Sequence, residues 1–384
     1  MKRRLVILTE IISPYRIPLF NALAQNRQVD LHVIFLAETD PSLRQWQVYR
    51  NEIKFSYEVL PSYRKRIGRY NALLNRGVGR ALTAASPEVV LCGGYNYVSS
   101  WQALSWARGR KVPFALWSES NLQDQRRGHA WVEFLKRTFV HRCSGFVVPG
   151  RSAMEYLRSA YGVSENRIFT APNAVDNGFF AAASTSARQK ADALRAELRL
   201  PGRYFLFAGR LVVEKGVFEL LSAYSTLDES TRRQMGLVFV GDGVARERLQ
   251  RQAADVSPGT IRFAGFAQRE QLAVYYALAE ILILPTYTDT WGLVVNEAMA
   301  CGLPVILSRA AGCAADLVKE GWNGLLINPR DVSSLASAMK SLADQPGLSA
   351  TMGANSVKQI SGFSPEEWSL GISRLMAGVG ETHD

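Results

Sequence analysis

Between positions 285 and 307 the sequence reads PTYTDTWGLVVNEAMACGLPVIL and holds two carboxylates, Asp289 and Glu297, eight positions apart. An ionised carboxylate accepts hydrogen bonds and donates none, so such a pair suits a ligand rich in hydroxyls. Gly292 and an apolar run separate the two acids. That layout predicts Asp289 on a loop leaving a strand and Glu297 in the first turn of the next helix. Both acids would then face the crevice at the carboxyl end of a parallel sheet, where open α/β folds bind ligands.

Two cations lie upstream. Arg210 and Lys215, in GRLVVEKG, bracket a strand-to-helix turn. At a helix N-terminus they form a site for a diphosphate, the guanidinium forking onto oxygens and the ammonium adding a point charge. Val217 stands where a nucleoside-triphosphate loop needs a hydroxyl, so the segment is not such a loop. Gly241 and Gly243 flank Asp242 after the next apolar run, either to admit a ligand close to the backbone or to make a tight turn. Gly265 and Phe266 close the run after that, where backbone groups could meet a flat base.

The elements that must position these residues show as short apolar runs with helical stretches between them. Strands are predicted at 5–12, 31–36, 89–92, 114–117, 146–148 and 168–170, and again at 204–207, 237–240, 261–263, 281–284, 305–307 and 325–327. Runs of this length, apolar throughout, fit parallel strands buried on both faces. Their alternation with helices gives βαβ units, and two consecutive sets give two doubly wound α/β domains. The boundary is expected in 172–176, giving domains 1–173 and 174–362. A helix is expected at 185–199, and Pro201-Gly202 opens the second sheet. Ser364 and Pro365 start a last helix, within 363–384, that packs back on the first domain.

A chain of 384 residues suits two cores, and 47% hydrophobic with 21% charged residues excludes a disordered protein. The four cysteines, Cys92, Cys143, Cys301 and Cys313, form no C-x-x-C pair and read as buried reduced thiols. The four histidines, His32, His129, His141 and His383, show no H-x-x-x-H zinc spacing. Glu10, Ser13 and Pro14 break the apolar run that follows Lys2, Arg3 and Arg4, so a first strand is expected there and not a signal peptide. No window has the length of a spanning helix, and a cytoplasmic protein is expected.

Residues 1–175 carry 25 Lys and Arg against 12 Asp and Glu, a net +13, while the remainder is at −2. Clusters occur at Arg64, Lys65, Arg66 and Arg69, at Arg108, Arg110 and Lys111, and at Arg126, Arg127, Lys136 and Arg137. Tyr63, Tyr70, Trp106, Trp131, Phe134 and Phe139 interleave with them. A basic aromatic face suits an anionic membrane surface; a solvated face and a nucleic-acid surface are the other readings.

Taken in order, these motifs resemble the retaining nucleotide-sugar glycosyltransferases of family 4, or group 1. PNAVD at 172–176 and GWNGLLINP at 321–329 extend the likeness over nearly the whole chain. The resemblance implies the GT-B fold, two Rossmann-like domains facing across a cleft. It implies that Arg210 and Lys215 hold the donor diphosphate, that Glu297 accepts from the ribose and that Asp289 touches the transferred sugar. Gly292, Leu293 and Val294 would turn amides to the pyrophosphate, and Gly265 and Phe266 would lie against the base. No metal or other cofactor is implied, in keeping with the lack of a D-x-D triplet. The co-substrate would be a UDP- or GDP-linked sugar.

Three departures from the family pattern stand out. The first acid, normally glutamate, is Asp289. The usual Gly-Gly turn after the first strand is replaced by 13–18, SPYRIP, where Tyr15 and Arg16 are candidates for phosphate or acceptor contacts and a capped helix start is the alternative. The frequent histidine after the 114–117 strand is replaced by Ser118-Glu119-Ser120. Glu119 is then a candidate for contact with the donor sugar or acceptor hydroxyl, or a helix cap; His129 is a weaker substitute. The expected acceptor is lipid-linked or a polysaccharide, at the inner face of the membrane. A 2-epimerase or phosphorylase of the same fold is the alternative enzyme. A basic nucleic-acid-binding protein would leave the acid pair unexplained.

Overall fold

The structure is a computed structural model that describes residues 2–40, 46–67, 70–122, 130–256 and 259–379, with only the backbone at 66, 67, 70 and 71. Arg69, Arg126, Arg127, His129 and His383, with the side chains of Arg66 and Tyr70, lie outside the described residues. The chain divides into two units: residues up to Val175 together with the segment from Ser364, and Asp176–Phe363.

The first unit is built on strands β1 (Arg3–Thr9), β2 (Val29–Phe35), β3 (Ser56–Val59), β6 (Val89–Cys92), β7 (Phe114–Trp117), β8 (Gly145–Val148) and β9 (Ile168–Thr170), with a separate antiparallel hairpin of β4 (Ser62–Ile67) and β5 (Tyr70–Asn75). All seven sheet strands run parallel, in the order β3-β2-β1-β6-β7-β8-β9. The second unit holds β10 (Tyr204–Ala208), β11 (Gly236–Val240), β12 (Ile261–Gly265), β13 (Ile281–Leu284), β14 (Val305–Ser308) and β15 (Gly324–Ile327). Their order is β12-β11-β10-β13-β14-β15, again all parallel.

β1 shows why continuous apolar runs make these strands. Its side chains alternate in direction, and both faces are buried. Leu5 and Ile7 enter a core with Phe20, Trp117 and Trp368, whereas Val6 and Leu8 enter another with Leu82, Leu104 and Phe139. The final helix, Pro365–Gly378, supplies Trp368, Ile372, Leu375 and Met376 to the first of these cores. Ser364 caps it by accepting from the Glu367 amide.

Each sheet reverses its winding once, between β1 and β6 and between β10 and β13. Loops leaving the two strands at such a point diverge and open a crevice at their carboxyl ends.

Several expectations shift. β3 and the β4–β5 hairpin are strands that the apolar pattern did not reveal, because exposed and charged residues interrupt it. The expected helix at 185–199 is two, Asn177–Gln189 and Ala191–Leu198, broken at Lys190. The units divide at 175/176 instead of 173/174, with Asp176 capping the first helix of the second unit through the Phe179 amide. All four cysteines are buried and free.

Among the described residues, the basic clusters do not form one face. Arg108, Arg110 and Lys111 precede β7, at the amino edge of the sheet, while the hairpin leaves the carboxyl edge after β3. Arg64 is tied down by Asp40 and lies 3.6 Å from Glu10, and Phe139 is core.

Candidate functional site

In the second unit, β10 hands the chain through Gly209 to a 3-10 turn, Val213–Lys215, and then to the helix Val217–Thr226. Gly216 joins them at φ +69°, and a Cβ there would stand 2.1 Å from the Pro285 carbonyl oxygen. Only glycine lets this turn lie against the end of β13. The Tyr287 amide donates to the Glu214 carbonyl at 2.8 Å, and the Thr286 hydroxyl reaches the same oxygen at 3.0 Å.

This stitching brings Lys215 to Asp289, Nζ to Oδ2, with the side chains 14% and 17% exposed. The Trp291 amide donates to the other oxygen of Asp289 at 3.4 Å, and the Asp289 carbonyl accepts from Gly312 at 2.9 Å. The acid is therefore fixed on its loop, with its charge turned to the lysine. Arg210 is on the same loop as Lys215, exposed, and makes no ion pair with a described residue.

Directly after Asp289 comes the helix Leu293–Ala300, entered through Gly292 at φ +99°. The amides of Gly292, Leu293 and Val294 open the helix and have no intrahelical acceptor, so they point a positive end at the crevice. Glu297 is the fifth residue of this helix, in its second turn and not its first, because the left-handed glycine starts the helix immediately. One carboxylate oxygen accepts from the Tyr276 hydroxyl at 2.8 Å. Packing around the group pushes its pKa up to about 7, against the lowering effect of the Tyr276 hydrogen bond. Part of the side chain stays reachable from outside. It is thus a carboxylate that sheds its proton near neutrality and gains from any further donor.

Gly241 and Gly243 serve loop packing. A Cβ on the first would lie 1.9 Å from the Gly209 carbonyl oxygen and on the second 2.4 Å from that of Leu211. The Gly241 amide in turn donates to Gly265 at 2.7 Å, and Phe266 beside it is exposed. The loops after β10, β11 and β12 are thereby locked together along one edge.

The first unit has its own cluster at its switch point. Arg16 follows β1 and lays its guanidinium over the Trp117 ring at 4.1 Å, with Nη2 3.4 Å from Glu119. Its Nη1 is buried with no hydrogen-bond partner among the described residues. Tyr15 stands edge-on to Trp46 at 5.7 Å. Ser13 makes no side-chain cap to the turn Pro14–Arg16, so the SPYRIP segment places Arg16 without a capping bond. Glu119 meets Arg16. Sequence reasoning named both residues but not their pairing, and it missed Trp117 and Tyr276, whose roles depend on neighbours far along the chain.

The profile of glycosyltransferase family 4 matches residues 19–179, and that of glycosyl transferases group 1 matches residues 190–359. The chain belongs to the group 1, or family 4, glycosyltransferases. D-inositol 3-phosphate glycosyltransferase 1 of Catenulispora acidiphila is 30% identical to this group 1 chain over 234 residues, 58% of the chain and 54% of the relative. Sulfoquinovosyl transferase SQD2 of Arabidopsis thaliana is 30% identical over 208 residues, 53% and 39% of the two. The chain thus spans about half the length, or less, of these curated relatives. Among solved structures, Anabaena HepE in complex with UDP superposes with a TM-score of 0.75 at 18% identity, covering 98% of this chain and 100% of that one. Sucrose-phosphate synthase from Thermosynechococcus elongatus gives 0.74 at 21% identity, covering 98% of each. These likenesses establish the GT-B fold.

Proposed function

We propose that the chain is a retaining, metal-independent glycosyltransferase that moves a hexose from a nucleoside-diphosphate sugar to a hydroxyl of a lipid-linked or polysaccharide acceptor at the inner membrane face. The observation that carries this is the Lys215–Asp289 pair at the switch point of the second sheet, next to the open amides of Gly292, Leu293 and Val294. A diphosphate there meets an ammonium and a helix N-terminus, and Arg210 adds an exposed guanidinium. Glu297 takes the ribose hydroxyls and Asp289 the hydroxyls of the sugar. Gly241, Gly243, Gly265 and Phe266 border the base. UDP in the HepE complex supports a uridine donor, and a GDP sugar is the alternative.

In the proposed transfer, the bond from the sugar's anomeric carbon to the phosphate oxygen breaks. The acceptor oxygen bonds that carbon from the same face, and its proton passes to the departing phosphate. The protein acts by positioning and by stabilising charge on the diphosphate. Arg16 and Glu119, paired in the first unit, are the candidates for contact with the acceptor. The test is transfer from UDP- and GDP-sugars, with donor-induced thermal stabilisation measured alongside. Lys215→Ala and Arg210→Ala each lower the rate by about 100-fold or more with the melting temperature retained. Wild-type turnover in either variant overturns the assignment.

A further inference from the structure

An ion pair stands at the border proposed for the base. The loop after β11 carries Asp242, and the helix Arg246–Val256 that follows begins with Arg246. Nη1 of Arg246 donates to Oδ2 of Asp242 at 3.2 Å, while Oδ1 accepts from the Gly243 amide at 2.7 Å. The Arg246 amide donates to the Gly243 carbonyl at 3.0 Å. Both residues are thus anchored to the 241–243 loop, whose Gly241 amide is bonded to Gly265 at the end of β12. A Cβ on Gly265 would stand 3.9 Å from Nη1 and from Nη2, so the guanidinium lies against the Gly265 backbone. Phe266 follows directly, and its ring is exposed.

Stability does not account for the pair. With side chains 35% and 40% exposed, an i,i+4 ion pair adds little to the fold. Its net charge is zero, so it gives a diphosphate no attraction at long range. What it presents is a fixed pattern of hydrogen-bond donors beside an acceptor. The guanidinium donates only, and Asp242 is its one side-chain partner among the described residues. The carboxylate accepts only and keeps lone pairs to spare. Nucleobases divide on this pattern. Uracil shows O4 beside N3–H, and guanine shows O6 beside N1–H, in each case an acceptor next to a donor. Cytosine and adenine show an amino group next to a bare ring nitrogen, which is the reverse.

We propose that Arg246 and Asp242 select a keto base in the donor, Arg246 donating to its carbonyl oxygen and Asp242 accepting from the ring N–H beside it. An amino base would set donor against donor and acceptor against acceptor. This rests on the reading of a nucleoside-diphosphate sugar in the second unit and names the class of base that site takes.

The test is calorimetric titration of UDP, GDP, CDP and ADP into the full chain and into Arg246→Ala and Arg246→Lys. The wild type binds a keto nucleotide about tenfold or more tightly than its amino counterpart. A preference for UDP over CDP marks a pyrimidine site, and one for GDP over ADP a purine site. In Arg246→Ala the keto nucleotide falls to the affinity of its counterpart, which itself changes by less than about twofold. The melting temperature stays unchanged. Arg246→Lys keeps the charge without the planar fork and loses most of the preference as well. A preference that survives in Arg246→Ala overturns the proposal. So does a wild type that binds keto and amino nucleotides equally, or a uniform loss for all four, which makes Arg246 a diphosphate contact. These three results leave the transferase reading intact. A folded wild type that binds none of the four refutes that reading, and this inference with it.

Discussion

Donor affinity in this chain should depend on pH through Glu297. Its carboxyl, pushed up to about 7 by burial, holds a proton that a free glutamate would have lost. Ribose hydroxyls donate hydrogen bonds, so they favour the ionised form. If only that form binds, the apparent Kd is multiplied by one plus the ratio of protonated to ionised carboxyl, giving about tenfold weaker binding at pH 6 than at pH 8. A nucleoside-diphosphate sugar is the right probe, because its doubly esterified phosphates do not titrate in this range. Calorimetric titration across pH 5.5 to 8.5, a range of about three units around the expected midpoint, measures it directly. Glu297→Gln should bind weakly and with no pH dependence. A flat wild-type affinity across that range would refute both the placement of the ribose and the ionisation argument.

The same burial sets a stability effect of definite sign. Below the ordinary glutamate range both folded and unfolded chains hold the proton, and nothing is lost. As pH rises towards about 7, the unfolded chain releases its proton first, so the folded state loses ground until Glu297 also ionises. The full shift corresponds to roughly 3 kcal/mol, and partial exposure reduces this to ~1–2 kcal/mol. Glu297→Gln should therefore raise the melting temperature at pH 8 and leave it unchanged at pH 4.

Two more outcomes follow from neighbouring contacts. Tyr276→Phe removes the hydrogen bond that favours the Glu297 carboxylate, so the midpoint of the donor-binding pH profile should move up by about half a unit to one unit; a downward move would contradict the bond's assigned sense. Gly216→Ala forces a Cβ onto the Pro285 carbonyl at a left-handed φ, and urea unfolding should show a loss of about 2–4 kcal/mol. An unchanged unfolding midpoint would mean that the turn does not lie against β13.

Much of this was legible in the residue order. The twelve expected strands fall where the continuous apolar runs lie, because a strand buried on both faces admits few polar residues over four or five positions. Ser364 and Pro365 marked the last helix for an equally local reason. β3 and the hairpin escaped, since an edge strand such as SYEV and a solvent-facing ribbon such as SYRKRI follow no buried pattern. Among the basic residues, linear clustering misled: Arg64 reads as surface charge, yet it pairs with Asp40, and Phe139 reads as part of an exposed aromatic set, yet it fills the core.

The sequence by itself determined the chemistry on offer: two acids, two cations and the glycines between them, on loops at the ends of parallel strands. Residue type fixes charge and hydrogen-bonding capacity, and short-range spacing fixes the element that carries each group. Only the tertiary structure decided which groups meet. Lys215 reaches Asp289 because Gly216 lets one loop lie on another, Arg16 finds Trp117 and Glu119 across a hundred residues, and Glu297 sits near neutrality because Tyr276 and its neighbours close around it. Such contacts depend on distance in space, and the strength of a charge depends on how much water its neighbours leave it; neither quantity is local in the chain.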